Sequence, residues 1–261
     1  MGYCGQHLCG PQYHRVVATL TFRAGRNGAM PVIASTWVYI LIPAGATIVG
    51  AALAAAFRPG PTLVSATQHF AAGVVFAAAA GEILPDLKHG GSAWPIAVGG
   101  SLGVGIMLLV KQLENWVKGP IGLVATIGID LLIDGLVLGI GFAAGAKAGL
   151  LLTIALTIEV LFLGLTVANE LGEFATSRMK VVGITAGLVL LLPIGALLGT
   201  PISTLPSPFL TGFFAFGLIA LLYLVTEELL VEAHETPDRP WVTTMFFAGF
   251  LILLLLEEAI A

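Results

Sequence analysis

The stretch Gly128-Ile129-Asp130-Leu131-Leu132-Ile133-Asp134-Gly135 carries two aspartates inside an apolar run that is typical of a membrane-spanning helix. Four residues are about one helical turn, so Asp130 and Asp134 are expected on the same face of that helix. A second apolar run follows the short loop at 144–149 and contains one acid, Glu159. The stretch therefore predicts a helical hairpin with three carboxylates inside it.

Simple geometry places these acids near the middle of a membrane. If the hairpin turns between Ala146 and Lys147, Asp134 lies twelve residues before the turn and Glu159 twelve after it. At about 1.5 Å per residue, both are roughly 18 Å from the turn, in a hydrocarbon core about 30 Å thick. Acids at this depth are costly and usually mark ion or proton pathways. With no Lys or Arg buried nearby, the three acids predict a cation site unless two of them are protonated.

The composition agrees with a membrane setting. The chain is 57% hydrophobic and 10% charged, whereas soluble domains carry about 25% charged residues. Its eleven Lys and Arg residues form no basic patch, so no nucleic-acid partner is expected. The two cysteines, Cys4 and Cys9, lie in the N-terminal tail and do not make a disulfide framework.

Eight apolar runs are each close to the roughly 20 residues that a membrane-spanning helix needs, and short loops join them. We therefore predict an all-α integral membrane protein, an eight-transmembrane-helix bundle. The runs are 35–57, 62–87, 94–113, the two halves of the hairpin within 121–173, 181–198, 209–230 and 241–261.

The first thirty residues differ from the rest of the chain. They are mixed and polar and lack the continuous apolar segment of a secretory signal. We predict an N-terminal extension at 1–30, expected to be disordered, and a transmembrane domain at 31–261. Met30 is an alternative start of the chain.

The distribution of basic residues predicts an orientation. Loops after the odd-numbered spans carry six Lys or Arg residues, and the alternate loops carry two. Because cytoplasmic loops are enriched in Lys and Arg, the loops after the odd-numbered spans are predicted to be cytoplasmic and both termini to lie outside. The membrane is predicted to be the plasma (inner) membrane. The six are Arg58, Lys111, Lys118, Arg178, Lys180 and Arg239, and the two are Lys88 and Lys147.

Several further polar residues carry open interpretations. Glu227, Glu228, Glu232 and His234 end the seventh run, and they fit either an acidic exit funnel or a solvated helix end. His69 lies inside the second run, where a single histidine is more often a satisfied polar residue than a ligand. We therefore do not predict His69 as a metal ligand.

The seventh run reads Leu222-Tyr223-Leu224-Val225-Thr226-Glu227-Glu228-Leu229-Leu230-Val231-Glu232-Ala233-His234. Together with the eight spans and the acidic hairpin, it resembles the ZIP (Zrt-/Irt-like) divalent-metal transporters. The resemblance extends from the first span to the C-terminus. In that family the fourth span typically reads His-Asn-x-Pro-Glu-Gly, where this chain has Asp130-Leu131-Leu132-Ile133-Asp134-Gly135. The fifth typically reads His/Gln-Asp/Asn-x-Pro-Glu-Gly, where this chain has Glu159-Val160-Leu161-Phe162-Leu163-Gly164.

The resemblance implies a two-metal centre, of which this chain retains one half. Positions that match the primary ligands are all carboxylates: Asp130, Asp134 and Glu159. Positions that match the secondary ligands are all apolar: Leu131, Val160 and Leu192. Leu163 has lost the family's acid, and Glu82 is a candidate to replace its oxygen. The resemblance thus implies one all-oxygen metal site.

The predicted function is transport of a divalent transition metal, for which Zn²⁺ is the leading candidate and Fe²⁺ or Mn²⁺ the next. Transport is expected to proceed by alternating access around the midplane carboxylates. The expected partners are the metal ion, the lipid bilayer and a second copy in a homodimer. No resident cofactor and no enzyme activity are expected. An intramembrane aspartyl protease is excluded because its Gly-x-Gly-Asp motif is absent. The alternative is a ZIP-like bundle that does not transport and acts as a metal sensor or partner subunit.

Overall fold

A computed structural model of the chain describes residues 29–57, 59–89, 92–117, 119–174, 178–237 and 239–260. Residues 1–28 lie outside the described residues, so the N-terminal extension with Cys4 and Cys9 stays a prediction. Tyr39–Ala261 forms one compact unit. Of the second unit, Met1–Val38, the described residues belong to a helix that begins at Ala29.

The described part of the chain is all helical, and eight of its helices are long and apolar enough to cross a membrane. This confirms the predicted eight-helix membrane bundle. The helices are α1 (Ala29–Phe57), α2 (Pro61–Ala78, continued by Ala79–Ile83 and Leu84–His89), α3 (Ala93–Trp116), α4 (Pro120–Ala144), α5 (Ala146–Phe174), α6 (Arg178–Leu188 and Leu191–Gly199, followed by Thr200–Thr204), α7 (Ser207–Tyr223, continued by Leu224–Leu229 and Leu230–Ala233) and α8 (Pro240–Ile260).

Glycines let α4 and α6 pack backbone to backbone. A Cβ atom on Gly135 of α4 would overlap the carbonyl oxygen of Leu192, and one on Gly195 of α6 would overlap that of Leu132. Gly139, one turn after Gly135, meets α6 in the same way. The Gly135–Gly139 pair is therefore a close helix contact, as small residues spaced by four usually are in membranes.

Two helices contain a π-helical turn. In α2 it covers Ala79–Ile83 and includes Glu82, and in α7 it covers Leu224–Leu229 and includes Glu227 and Glu228. A π turn inserts an extra residue into the helical repeat and so changes the direction in which the following side chains point. All three glutamates therefore point in directions that regular helical spacing does not predict.

The bundle has two ends, which we name after one residue at each. The His234 end contains the C-terminal part of α7 and the start of α2, including His69. The Lys147 end contains the turn between α4 and α5 and the last turns of α2, including Glu82. His69 and Glu82 are thirteen residues apart on α2, which corresponds to roughly 20 Å along a helix.

Candidate metal site

Asp134 on α4 and Glu159 on α5 meet in the interior of the bundle. The two residues are 3% and 1% exposed, and their carboxyl groups are close enough to interact directly. One further oxygen of each, Oδ2 of Asp134 and Oε2 of Glu159, is buried with no hydrogen-bond partner. A buried oxygen without a donor is costly. The pair is therefore able to accept a cation or another donor.

Asp130 connects this pair to a larger space. It is also buried, one helical turn before Asp134. Asp130 and Asp134 together line a gap of about 10 Å³ between α4 and α7. Asp130 also lines a cavity of about 120 Å³ that extends toward the His234 end. Asp130 and Asp134 thus line spaces that lead into the bundle, and Glu159 lies beside Asp134.

We name the larger space the acidic cavity. Besides Asp130, its polar lining residues are Lys111, Thr126, Thr166, Tyr223, Glu227, Glu228 and Glu232. Thr126 lies one turn before Asp130 on α4, and its Oγ1 atom is buried with no hydrogen-bond partner. A hydroxyl oxygen in this position adds a further neutral ligand beside Asp130. Sequence reasoning did not select Thr126, although its i, i+4 spacing to Asp130 was visible.

A salt bridge crosses the rim of the acidic cavity. Lys111 Nζ on α3 lies 2.8 Å from Glu227 Oε2 on α7, and about half of each side chain is exposed. The same Lys111 Nζ lies 5.8 Å from the centre of the Tyr223 ring. Glu227 therefore faces the surface and pairs with a cation there.

Glu228 points into the bundle and is the main carboxylate that sequence reasoning left unassigned. Its charge acts on both Asp134 and Glu159, and it lines the acidic cavity. The pattern had grouped Glu228 with Glu227 as an exit funnel or a solvated helix end. The two residues are adjacent within the π turn, and the structure shows that Glu227 faces the rim while Glu228 faces the buried pair.

Glu82, predicted as a replacement ligand, lies at the Lys147 end. Lys147 Nζ is 3.9 Å from Glu82 Oε1 and 3.6 Å from Glu257 Oε1. Asp86 is the other charged neighbour of Glu82. The structure thus groups Glu82 with a lysine and two acids of its own end, and shows no contact between it and the three midplane carboxylates.

The carboxylates are neighbours without forming a preassembled metal cage. Among the described residues, no group of three or more His, Cys, Asp or Glu side chains is arranged closely enough to hold a metal ion. Asp134 and Glu159 interact with each other. A bound ion would have to replace that contact and draw the oxygens toward itself.

The positions that match the family's secondary ligands are sealed in the apolar core. Leu131, Val160 and Leu192 are each 0% exposed and belong to the main hydrophobic cluster. None of these side chains has a lone pair to offer a cation. A second ion directly beside the three carboxylates would therefore lack ligands on this side.

Comparison with known proteins finds two curated relatives. The zinc transporter ZIPB of Bordetella bronchiseptica is 29% identical over 141 residues, which are 52% of this chain and 45% of the relative. The zinc transporter GufA of Myxococcus xanthus is 27% identical over 176 residues, 66% of this chain and 59% of the relative. The chain thus spans about half the length of the curated relatives it matches. No protein-family model matches the chain. The two relatives support the resemblance to a family of multi-pass metal transporters.

Proposed function

We propose that this chain is a ZIP-family transporter that moves divalent transition-metal ions, Zn²⁺ first, across a membrane through Asp130, Asp134 and Glu159. The observation that carries the proposal is the buried Asp134–Glu159 pair, which Asp130 joins to the acidic cavity. The names of the two relatives support zinc as the cargo. Fe²⁺ and Mn²⁺ are the next candidates, because carboxylates also suit these ions.

The carboxylates act by replacing water around the cargo. The ion takes the buried oxygens of Asp134 and Glu159 that have no hydrogen-bond partner in the metal-free protein. Binding separates the two carboxyl groups from each other, since both now face the ion. Asp130 and Glu228 lie between this pair and the acidic cavity, so they receive or release the ion on that side.

The two ends of the bundle differ in a way that fits alternating access. At the His234 end the acidic cavity reaches half-exposed residues of the rim. At the Lys147 end, ion pairs link α2, α5 and α8. The distribution of Lys and Arg predicts that the His234 end faces the cytoplasm. Transport then requires the helices to move so that the Lys147 end opens while the acidic cavity closes.

The experiment is Zn²⁺ uptake into proteoliposomes that contain purified protein. Asp134→Asn and Glu159→Gln remove a charge while keeping side-chain size, and each should reduce the initial rate at least about tenfold. Glu258→Gln is the matched control, because it removes an exposed carboxylate on α8. Binding of Zn²⁺ by the wild-type protein with no uptake would contradict transport and favour the sensor or partner-subunit alternative.

A further inference from the structure

Two imidazole rings meet at the His234 end, outside the midplane site. His69 on α2 and His234, directly after α7, have ring centroids 5.0 Å apart. The two residues are far apart in the sequence, and the sequence pattern led us to interpret His69 as a single satisfied histidine. The fold instead gives His69 a second histidine as a neighbour.

His69 presents a buried nitrogen that has nothing to bind. The residue is 2% exposed, and its Nε2 atom is buried with no hydrogen-bond partner. Its Nδ1 atom lies 2.9 Å from the carbonyl oxygen of Ser65. Because a carbonyl only accepts, Nδ1 carries the proton and donates it, which leaves a lone pair on Nε2. A buried lone pair of this kind is costly unless a partner occupies it.

The Nδ1 atom of His234 makes the same kind of hydrogen bond as that of His69. Its Nδ1 atom hydrogen-bonds the carbonyl oxygen of Leu230, so the lone pair of this ring also lies on Nε2. Metal-binding histidines commonly donate their other N–H to a backbone carbonyl, which fixes both the tautomer and the ring orientation. Both rings therefore have the protonation pattern of Nε2 ligands.

The spacing of the rings fits a shared ion. With Zn–N bonds of about 2.0–2.1 Å and each nitrogen about 1.1 Å from its ring centre, two imidazoles on one tetrahedral ion have centroids about 5 Å apart. The observed separation is 5.0 Å. The same separation also lies in the range of ordinary ring–ring contacts, but a ring–ring contact alone leaves Nε2 of His69 without a partner.

Hydrogen bonds on either side of the pair hold the two helices in register. Ser65 Oγ donates to the carbonyl oxygen of Ala233 at 2.6 Å, and Gln68 Nε2 donates to Glu232 Oε2 at 2.6 Å. Glu232 also lines the acidic cavity. The histidine pair is therefore fixed in place beside the route that leads to Asp130.

We propose that His69 and His234 form a transition-metal site with two imidazole ligands at the His234 end, adjoining the acidic cavity. Two protein nitrogens, with water in the other positions, agree with the finding that the described residues contain no group of three or more metal ligands. Such a site suits an ion in transit, because structural zinc sites use four protein ligands. Imidazole favours Zn²⁺ over Mn²⁺, so the pair selects the metal more sharply than the carboxylates do. Its part in transport rests on the proposed function, whereas metal binding by the pair does not.

The test uses X-ray absorption at the zinc edge on full-length Asp134→Asn protein loaded with one equivalent of Zn²⁺ in detergent. We expect scattering from two imidazoles. Adding His234→Gln should remove it and weaken Zn²⁺ binding at least about tenfold. His234 is exposed, so this change should leave the fold intact, as gel filtration checks. Adding His69→Gln in place of His234→Gln should remove the two-imidazole scattering in the same way. The matched control is His14→Gln, which lies outside the described residues.

Bound zinc with no imidazole scattering, or a spectrum and affinity unchanged by His234→Gln, would overturn the site. The transport assay separates this result from a failure of the proposed function. His234→Gln should lower the ratio of Zn²⁺ to Mn²⁺ uptake several-fold while Mn²⁺ uptake persists. If the wild-type protein transports no metal but shows the two-imidazole spectrum, transport is wrong and the histidine site stands.

Discussion

The carboxyl groups of Asp134 and Glu159 interact directly across two helices, although the residues are 25 positions apart in the sequence. The contact exists because α4 and α5 form an antiparallel hairpin about Gly145, which brings both residues to the same depth. Two buried carboxyl groups stabilise each other poorly in an apolar interior unless a proton or a cation lies between them. Their proximity is therefore better explained by binding than by stability.

Adjacent residues on α7 allow a direct test of the acidic cavity. Glu228 acts electrostatically on the Asp134–Glu159 pair, whereas Glu227 forms an exposed salt bridge with Lys111. Glu228→Gln should therefore reduce Zn²⁺ uptake by about tenfold, because it removes charge from the ion's route. Glu227→Gln should change uptake by no more than about twofold, since exposed salt bridges contribute little. Initial rates at several Zn²⁺ concentrations measure both, and equal effects would show that Glu228 has no special position.

The contact between α4 and α6 gives a prediction about stability. Even alanine at Gly195 would overlap the carbonyl oxygen of Leu132, so the two backbones must separate. Gly195→Ala should destabilise the protein by about 1–3 kcal/mol, as overpacking commonly does. Gly183→Ala on the same helix is the matched control, because its Cβ would meet no atom within 4 Å. Thermal unfolding in detergent measures the difference, and an unchanged midpoint for Gly195→Ala would contradict the packing.

Local patterns in the sequence were enough for much of the fold. Apolar length predicted the eight helices, and the spacing of Asp130, Asp134 and Glu159 about the loop predicted three interior acids. These features depend only on the helical repeat and on the thickness of a membrane. The contact between α4 and α6 at Gly135 and Gly139, in contrast, is seen only in the structure.

The remaining features depend on which helices are neighbours and on local changes of the helical repeat. His69 and His234 are brought together by the packing of α2 against the end of α7, which no spacing within one span reveals. The π turns at Ala79–Ile83 and Leu224–Leu229 redirect Glu82 and Glu228 relative to a regular helix. The family resemblance predicted Glu82 as a replacement ligand, and the sequence left Glu228 open between an exit funnel and a solvated helix end.

Glu82 can be assigned by comparing it with its neighbour in the Lys147 cluster. If Glu82 belongs to that cluster, Glu82→Gln should behave like Glu257→Gln and keep Zn²⁺ uptake within about twofold, because partly exposed ion pairs are weak. If Glu82 is a ligand, as the sequence suggested, Zn²⁺ uptake by the Glu82→Gln protein should fall as far as uptake by the Asp134→Asn protein. We expect the first result, and the three variants measured side by side decide between them.

The apolar environment of Leu131, Val160 and Leu192 predicts the number of ions at the midplane. In His234→Gln protein, which lacks the proposed histidine site, we expect one bound Zn²⁺ per protomer. Adding Asp134→Asn to this protein should abolish binding of that ion. Equilibrium dialysis measures the stoichiometry. Two ions within about 4 Å of each other, the spacing of two-metal centres, would show that the buried leucines and valine do not prevent a second site.

The last prediction concerns how the midplane site chooses its metal. Carboxylate oxygens accept Mn²⁺, Fe²⁺ and Zn²⁺, whereas an imidazole nitrogen increases the preference for Zn²⁺. Asp130 lines both the small gap beside Asp134 and the acidic cavity. It also occupies a position at which the ZIP family typically has histidine. Asp130→His should therefore raise the ratio of Zn²⁺ to Mn²⁺ uptake several-fold, measured by competition of each metal against labelled Zn²⁺. Asp130→Asn is the matched control, because it removes the charge without supplying an imidazole, and it should lower uptake of both metals without raising that ratio. If Asp130→His leaves the ratio unchanged, Asp130 does not contact the ion, and the site consists of Asp134, Glu159 and Glu228.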